Sequence, residues 1–207
     1  MTVQASERSE AAARPGQAGR RWHALKRFKR NQNGATIVEF AMVAGPFLML
    51  MMATFETALM FWTNQVLDEA LTRTSRRLLT GEALTRYTNP ATQTAEFKRD
   101  LCANAPALIN CDRLWIDVRT YTSFSDAQTK TAASSPVSGG NLNVSGFGYN
   151  QPQAEQIVVV SAVMEYPVLL TGWSGSLANI GSDKRAIVAS TTFRAEPFNT
   201  PAPAPAT

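Results

Sequence analysis

One apolar stretch, residues 35–62, constrains this chain more than any other feature. Its only charged side chains are Glu39 and Glu56, and the sixteen residues between them carry no charge. A helix rises about 1.5 Å per residue, so about 20 residues cross the roughly 30 Å hydrocarbon core of a bilayer. The stretch therefore predicts a transmembrane helix over residues 35–62. A kink is expected near Pro46, because proline removes one helix hydrogen bond.

The charges on the two sides of this stretch are unequal. Residues 1–34 contain eight Lys and Arg against two Glu, whereas residues 35–207 contain twelve basic and fourteen acidic side chains. Basic residues beside a first membrane helix stay in the cytoplasm. We therefore predict a basic cytoplasmic leader over residues 1–34 and a periplasmic location, outside a bacterial inner membrane, for the C-terminal part. The basic excess belongs to the membrane flank, so nucleic acid is not an expected partner.

The apolar pattern continues beyond the predicted membrane span. Residues 63–81 carry an apolar stripe at helical spacing, which predicts an amphipathic extension of the same helix. Gly81 is a typical residue for the end of a helix. One helix of about 45 residues, from Thr36 to Thr80, is the resulting prediction. The stripe consists of Leu67, Leu71, Thr74 and Leu78.

Residues 82–196 predict a small periplasmic α+β domain. Residues 93–103 can form a short helix, and alternating or β-branched patterns predict three strands. The strands are expected at residues 113–121, 156–166 and 186–194. The fold class is therefore α+β, with the long helix packed on a small antiparallel sheet of about three strands.

Two polar segments of this region are not expected to form regular structure. Residues 122–154 are rich in Ser, Gly, Asn and Gln and are too long for a tight hairpin, so they predict a mobile loop or a variable insertion. Residues 197–207 read as a disordered tail rich in Pro and Ala.

The two cysteines of the chain, Cys102 and Cys111, both follow the apolar stretch. In an oxidising periplasm we expect them to form a disulfide. A metal site is not expected, because the exported part contains no histidine and no third cysteine.

The junction between the basic and apolar regions has the features of a protease site. Gly34 gives access to the backbone without a side chain, and an ordinary secretory cleavage site is absent after the long apolar stretch. Cleavage after Gly34 would create an ammonium on Ala35, one helical turn before Glu39. A carboxylate in hydrocarbon is costly, so Glu39 is expected to use that ammonium as a partner. The alternative is an uncleaved anchor with Glu39 at the cytoplasmic interface.

The junction, NGATIVEFA, resembles the processing site of type IV pilin-like precursors, which a membrane peptidase cuts after the glycine. Together with later segments, it resembles the TadE-like pseudopilins, or minor pilins, of the tight-adherence (Tad/Flp) pilus machinery. These segments are DRLWIDVRTYTSF after the cysteines, VVVSAVMEYPVLL, and the ending TTFRAEPFN. The family's C-terminal Arg-Asn-Glu-Pro motif corresponds here to Arg194, Glu196 and Pro197, with Ala195 departing from it.

The resemblance implies a function as well as a fold. A TadE-like chain would be cut by a prepilin peptidase, would have other pseudopilins and pilus assembly platform proteins as partners, and would serve assembly of an adhesive pilus. Many type IV pilins begin the mature chain with Phe, whereas this one offers Ala35.

Two other classes of function stay open beside pilus assembly. The first is an uncleaved type II membrane protein with a periplasmic scaffold or binding role. The second is a membrane-anchored enzyme, which we do not expect, because the exported region has no histidine, no Gly-rich phosphate loop and no G-x-S-x-G motif. No cofactor is predicted.

Two charged sites carry further predictions. Glu56 is expected at the outer membrane interface, with pairing to a partner helix as the alternative. Arg194 and Glu196 are expected to pair with each other and close the sheet.

Overall fold

A computed structural model describes residues 33–105, 108–132, 135–169, 177–181 and 183–198. Most of the predicted leader and of the predicted C-terminal tail, residues 1–32 and 199–207, lies outside the described residues. The chain divides into two units, residues 1–50 and 51–207. The described part of the first unit is helical, and the second unit contains the sheet.

The long helix predicted over residues 36–80 is present. Helix α1 comprises the 47 residues Asn33–Leu79 and continues through Pro46. Its hydrogen-bonding pattern ends where Gly81 adopts a φ of +78°, a left-handed conformation that glycine adopts without the steric cost of a Cβ.

The amphipathic half of α1 packs against the rest of the second unit. All four predicted stripe residues, Leu67, Leu71, Thr74 and Leu78, are completely buried, which confirms the stripe. Its spacing alternates between three and four residues, as expected for one face of a helix. The buried stripe begins earlier than the sequence predicts, with Glu56, Met60 and Thr63.

Three shorter helices follow α1. Helix α2 comprises Ala83–Arg86 and helix α3 comprises Gln93–Asn104, close to the predicted helix at residues 93–103. A 3-10 turn at Cys111–Arg113 leads into the sheet. Helix α4 comprises Phe124–Ala132.

Regular structure is present within residues 122–154, for which the sequence predicts only a mobile loop. Helix α4 lies in this stretch, and so does a two-stranded hairpin of β2, Val137–Ser138, and β3, Asn141–Leu142. The helix has little apolar surface to bury: Ala127 is buried, while Phe124 is exposed. Its sequence has no apolar periodicity of the kind from which a helix is predicted.

Three antiparallel strands form the main sheet in the order β1-β4-β5. They are β1, Leu114–Tyr121, β4, Ile157–Pro167, and β5, Lys184–Arg194. Each lies within two residues of its predicted limits. The predicted α+β class and the small sheet of three strands are confirmed.

The core lies between one face of this sheet and the helices. Val118 and Val160 are paired across β1 and β4, and both belong to the buried cluster that contains Leu67 and Leu71 of α1. Phe97 of α3 belongs to the same cluster. Burial of branched and aromatic side chains, at about 25 cal/mol for each Å² of apolar surface, is the main source of stability for such a domain.

Candidate functional site

The first part of α1 exposes its apolar side chains on all sides. Every large apolar residue between Ile37 and Phe55 is at least 42% exposed. One helix among the described residues, Thr36–Leu79, is long and apolar enough to cross a membrane, and its most apolar window has a mean hydropathy of 1.8 with none of it buried. A helix that is apolar on every side and unburied fits lipid as its surroundings.

The exposed apolar part has the length of a bilayer core. It runs from Thr36 to Phe55, after which Glu56 is only 3% exposed. Twenty residues of helix extend about 30 Å, which equals the thickness of a typical hydrocarbon core. One segment among the described residues therefore fits a single-pass membrane protein.

The predicted cleavage junction lies at the start of this helix. Gly34 is the second residue of α1, and a Cβ placed on it would meet no atom within 4 Å. The Glu39 side chain is exposed. Ala35 and Glu39 are four residues apart and so share one face of the helix.

Glu56 lies where α1 first contacts the rest of the second unit. Its Oε1 accepts a hydrogen bond from the backbone N–H of Leu169, at 2.5 Å. Leu169 follows the end of β4, and the preceding Val168 is buried and donates its N–H to the carbonyl of Asp183. Burial of a carboxylate requires such donors, because an unpaired charge in an apolar environment is costly. The glutamate thus holds the segment after β4 against the helix.

A second buried carboxylate, Asp100, joins three helices. It accepts hydrogen bonds from Arg77 of α1, from Arg86 of α2, and from the hydroxyl of Tyr87 at 2.7 Å. The sequence does not reveal this cluster, because its members come from separate helices and have no motif spacing. Arg77 lies close to Arg73 and Arg76 in the sequence, and such a basic group is typical of a solvated face of a helix.

The electrostatics of this cluster favour the ionised carboxylate. The Arg86 hydrogen bonds, followed by those of Tyr87 and the positive charge of Arg77, lower the pKa of Asp100 from 3.8 to about 2. Burial, with the hydrogen bond to Asp100, raises the pKa of Tyr87 to about 12. The cluster therefore holds fixed charges at neutral pH, as expected of a group that stabilises the structure.

Cys102 and Cys111 form a disulfide with a Cα–Cα distance of 6.2 Å. The bond connects the end of α3 to the 3-10 turn that precedes β1. It closes the loop that contains residues 106–107, which are outside the described residues. A disulfide over such a short loop contributes roughly 2–3 kcal/mol by restricting the unfolded chain.

The C-terminal motif residues contact different elements from those predicted. Arg194 pairs with Glu155, to which it donates hydrogen bonds at the backbone carbonyl and at Oε2, and it does not pair with Glu196. The predicted Arg194–Glu196 pair is therefore wrong. In an extended strand, side chains two residues apart point to the same face, but here the strand ends at Arg194 and the chain turns toward α1.

Glu196 and its neighbours instead contact the end of the long helix. The N–H of Glu196 donates to the carbonyl of Leu79 at 2.9 Å, which satisfies one of the free carbonyls in the last turn of α1. Ala195 is buried, Pro197 is exposed, and the Phe198 ring lies against Gly81. The motif thus joins the end of the sheet to the end of α1.

A mixed polar and apolar cavity lies on the other face of the sheet. Its volume is about 600 Å³. Asp117 and Arg119 form part of its wall and are paired with each other, while Arg119 also donates to the carbonyl of Gly146. These polar groups bind the loop that covers the sheet, and this gives them a structural role.

The long helix is similar to part of a known protein family. Residues 34–76 match the family model described as TadE-like protein. No curated protein and no solved structure matches the chain. The match begins at Gly34 and covers both the exposed apolar part of α1 and most of its buried stripe. The resemblance predicted from the sequence is therefore confirmed over residues 34–76: in this segment the chain is similar to TadE-like proteins of the pilus system.

Proposed function

We propose that this protein is a TadE-like pseudopilin or minor pilin, cut after Gly34 by a prepilin peptidase, that acts in the assembly of a Tad/Flp-type pilus. The observation that carries the proposal is the exposed apolar helix of α1, whose similarity to TadE-like proteins begins at Gly34. Cleavage there removes the basic leader and leaves the complete apolar segment on the mature chain. Helices of neighbouring subunits then pack through this segment.

The charges and the disulfide support the orientation that we propose. The basic leader stays in the cytoplasm, and the second unit lies in the periplasm. The Cys102–Cys111 bond supports this location, since structural disulfides persist in oxidising compartments. The protein is anchored in the inner membrane until the assembly machinery incorporates it.

The role is structural rather than catalytic. The buried charged cluster at Asp100 and the Asp117–Arg119 pair are both engaged with neighbouring segments of the fold. Other pseudopilins and platform proteins are the proposed partners.

Substitution of Gly34 tests the cleavage. The Gly34→Val variant should stay at precursor mass when it is produced with its peptidase, because a branched side chain blocks access to the backbone at the cut. Gly45→Val is the matched control: it places the same residue in the same helix, where a Cβ also meets no atom within 4 Å. The control should be cleaved like the wild type. Equal processing of both variants in a pulse-chase experiment would contradict cleavage after Gly34.

The second candidate function is an uncleaved type II membrane protein with a periplasmic scaffold role. The observation that favours it is the helical conformation of Asn33 and Gly34, which are already part of α1. Proteases bind extended segments more readily than helical ones, so the junction would have to open. Retention of residues 1–34 on the membrane-bound wild-type chain would support this candidate.

A further inference from the structure

The exposed face of α1 changes character abruptly after Trp62. Phe61 and Trp62 are 73% and 61% exposed, and they lie on the side of the helix away from the buried stripe. Beyond them the exposed side chains are polar or charged, beginning with Asn64 and Gln65. Two large aromatic rings thus stand between the apolar and the polar part of one helix.

The distance along the helix places these rings at a membrane surface. Trp62 is two helical turns beyond Phe55, the last residue of the exposed apolar segment, so its Cα lies about 10 Å farther along the axis. Side chains on a helix point back toward its N-terminus, which brings the rings closer to the hydrocarbon core. The headgroup region adds roughly 5–7 Å on each side of that core. Tryptophan is enriched at this depth, because its ring is amphipathic.

A second segment, which follows β4, contacts α1 at the end of the exposed apolar segment. Leu169 is 72% exposed, although its backbone N–H is bonded to the buried Glu56 carboxylate. Glu56 directly follows the exposed apolar segment, so the bond fixes Leu169 at the outer limit of the hydrocarbon. Buried Val168, bonded to Asp183, holds the same segment from the other side.

We propose that Phe61, Trp62 and Leu169 form a surface that binds the outer leaflet of the bilayer, and that Glu56 positions Leu169 in it. The partner is the boundary between the phospholipid headgroups and the acyl chains. The proposal rests on the membrane anchorage in the proposed function and adds that the periplasmic part is itself seated on lipid. Continuity with the apolar segment of α1 favours lipid over a second protein.

Depth-dependent fluorescence quenching tests the proposal. The full chain is placed in phospholipid vesicles whose acyl chains carry bromine either near the headgroup or near the bilayer centre. Replacement of Trp22, Trp115 and Trp173 by Phe leaves Trp62 as the only tryptophan, which is excited selectively at a wavelength that tyrosine does not absorb. Its fluorescence should be lost more with shallow than with deep bromine. The matched control is a variant that keeps only Trp115. This residue lies on the same face of the sheet as Asp117 and Arg119, so neither bromine position should quench its fluorescence.

A tryptophan at one further position separates failure of this proposal from failure of the membrane anchorage. Val43→Trp, with the four native tryptophans replaced, should lose fluorescence most with deep bromine, because Val43 lies within the exposed apolar segment. Loss at this position without loss at Trp62 would overturn the proposal and leave the anchorage intact. No loss at either position would contradict the anchorage itself. Quenching of Trp62 that disappears as protein concentration rises would show that a second copy covers the surface, and it would also overturn the proposal.

The role of Glu56 is tested with Leu169→Trp in the same background. This variant should lose fluorescence with shallow bromine. Adding Glu56→Leu, which removes the acceptor, should abolish that loss and leave the loss at Trp62 unchanged. Adding Glu56→Gln keeps an oxygen that accepts the Leu169 N–H, so the loss should persist. Equal quenching in the Leu and Gln variants would show that Glu56 does not position Leu169.

Discussion

At the scale of single residues, Asp100 shows how one carboxylate supports several elements. It accepts hydrogen bonds from Arg77, Arg86 and Tyr87, and its own side chain is 8% exposed. A lowered pKa means that the folded state favours the ionised form. The resulting stability is fully present above about pH 4 and is lost as the pH falls through the folded pKa of about 2.

The change Asp100→Asn should lower the free energy of unfolding by about 2 kcal/mol near neutral pH, since each pKa unit corresponds to about 1.4 kcal/mol. The variant should also lose less stability than the wild type between about pH 4 and pH 2. Urea unfolding of the full chain in detergent, followed across this range, measures both effects.

Asp126→Asn is the control for this change. Asp126 pairs with Lys130 on the surface of α4, where such a pair contributes about 0.5 kcal/mol or less. The buried cluster would be shown not to stabilise the fold by either of two results. The stability of Asp100→Asn could depend on acid pH as that of the wild type does, or both variants could lose the same free energy of unfolding.

The partners of individual charged side chains are the part of the structure that is least predictable from the sequence. Arg194 was expected to pair with Glu196, its near neighbour, but its partner Glu155 is 39 positions away. Such pairs depend on which segments the fold brings together, and no local pattern encodes them. The position of Glu56 at the end of the exposed apolar segment is predictable from the sequence, whereas its bond to Leu169, 113 positions later, is not.

At the scale of elements, the end of α1 depends on a contact with the C-terminal segment. Gly81 has a φ of +78°, and a Cβ on it would lie 2.6 Å from Cγ of Phe198. Two effects therefore oppose a side chain here: the left-handed backbone and the aromatic ring. The ring belongs to the same segment in which Glu196 caps α1 through the carbonyl of Leu79.

Gly81→Ala should lower stability by more than the roughly 1–2 kcal/mol expected from the left-handed conformation alone. Gly140→Ala isolates the backbone effect, because Gly140 has a φ of +74° and a Cβ there would meet no atom within 4 Å. The midpoint of urea unfolding should therefore fall further for Gly81→Ala than for Gly140→Ala. Equal midpoints would show that the Phe198 contact does not secure the end of the helix.

The long helix and the three strands were predictable because each carries a strong periodic signal. The stripe of Leu67, Leu71 and Leu78 has helical spacing, and β1 alternates buried and less buried side chains from Leu114 onward. Helix α4 was missed because its sequence, FSDAQTKTA, has no such stripe. Short elements that bury one or two side chains are stabilised by the segments around them, which leaves little trace in their own sequence.

At the scale of the whole molecule, α1 consists of an exposed apolar part followed by a buried amphipathic part. The exposed segment Thr36–Phe55 matches a bilayer core in length, and the buried stripe starts at the next residue, Glu56. The family similarity covers residues 34–76. The proposed function adds removal of the leader at the first residue of that similarity, which would leave Ala35 as the new N-terminus, one helical turn before Glu39.

N-terminal sequencing of the wild-type protein recovered from bacterial membranes is the decisive test of cleavage after Gly34. Cleavage there predicts that the chain begins at Ala35 and that residues 1–34 are absent. It also predicts that the recovered chain stays in the membrane fraction, since the complete apolar segment is retained. A chain that still carries residues 1–34 would contradict the processing, and a chain that begins after Trp62 would contradict the membrane helix as part of the mature protein.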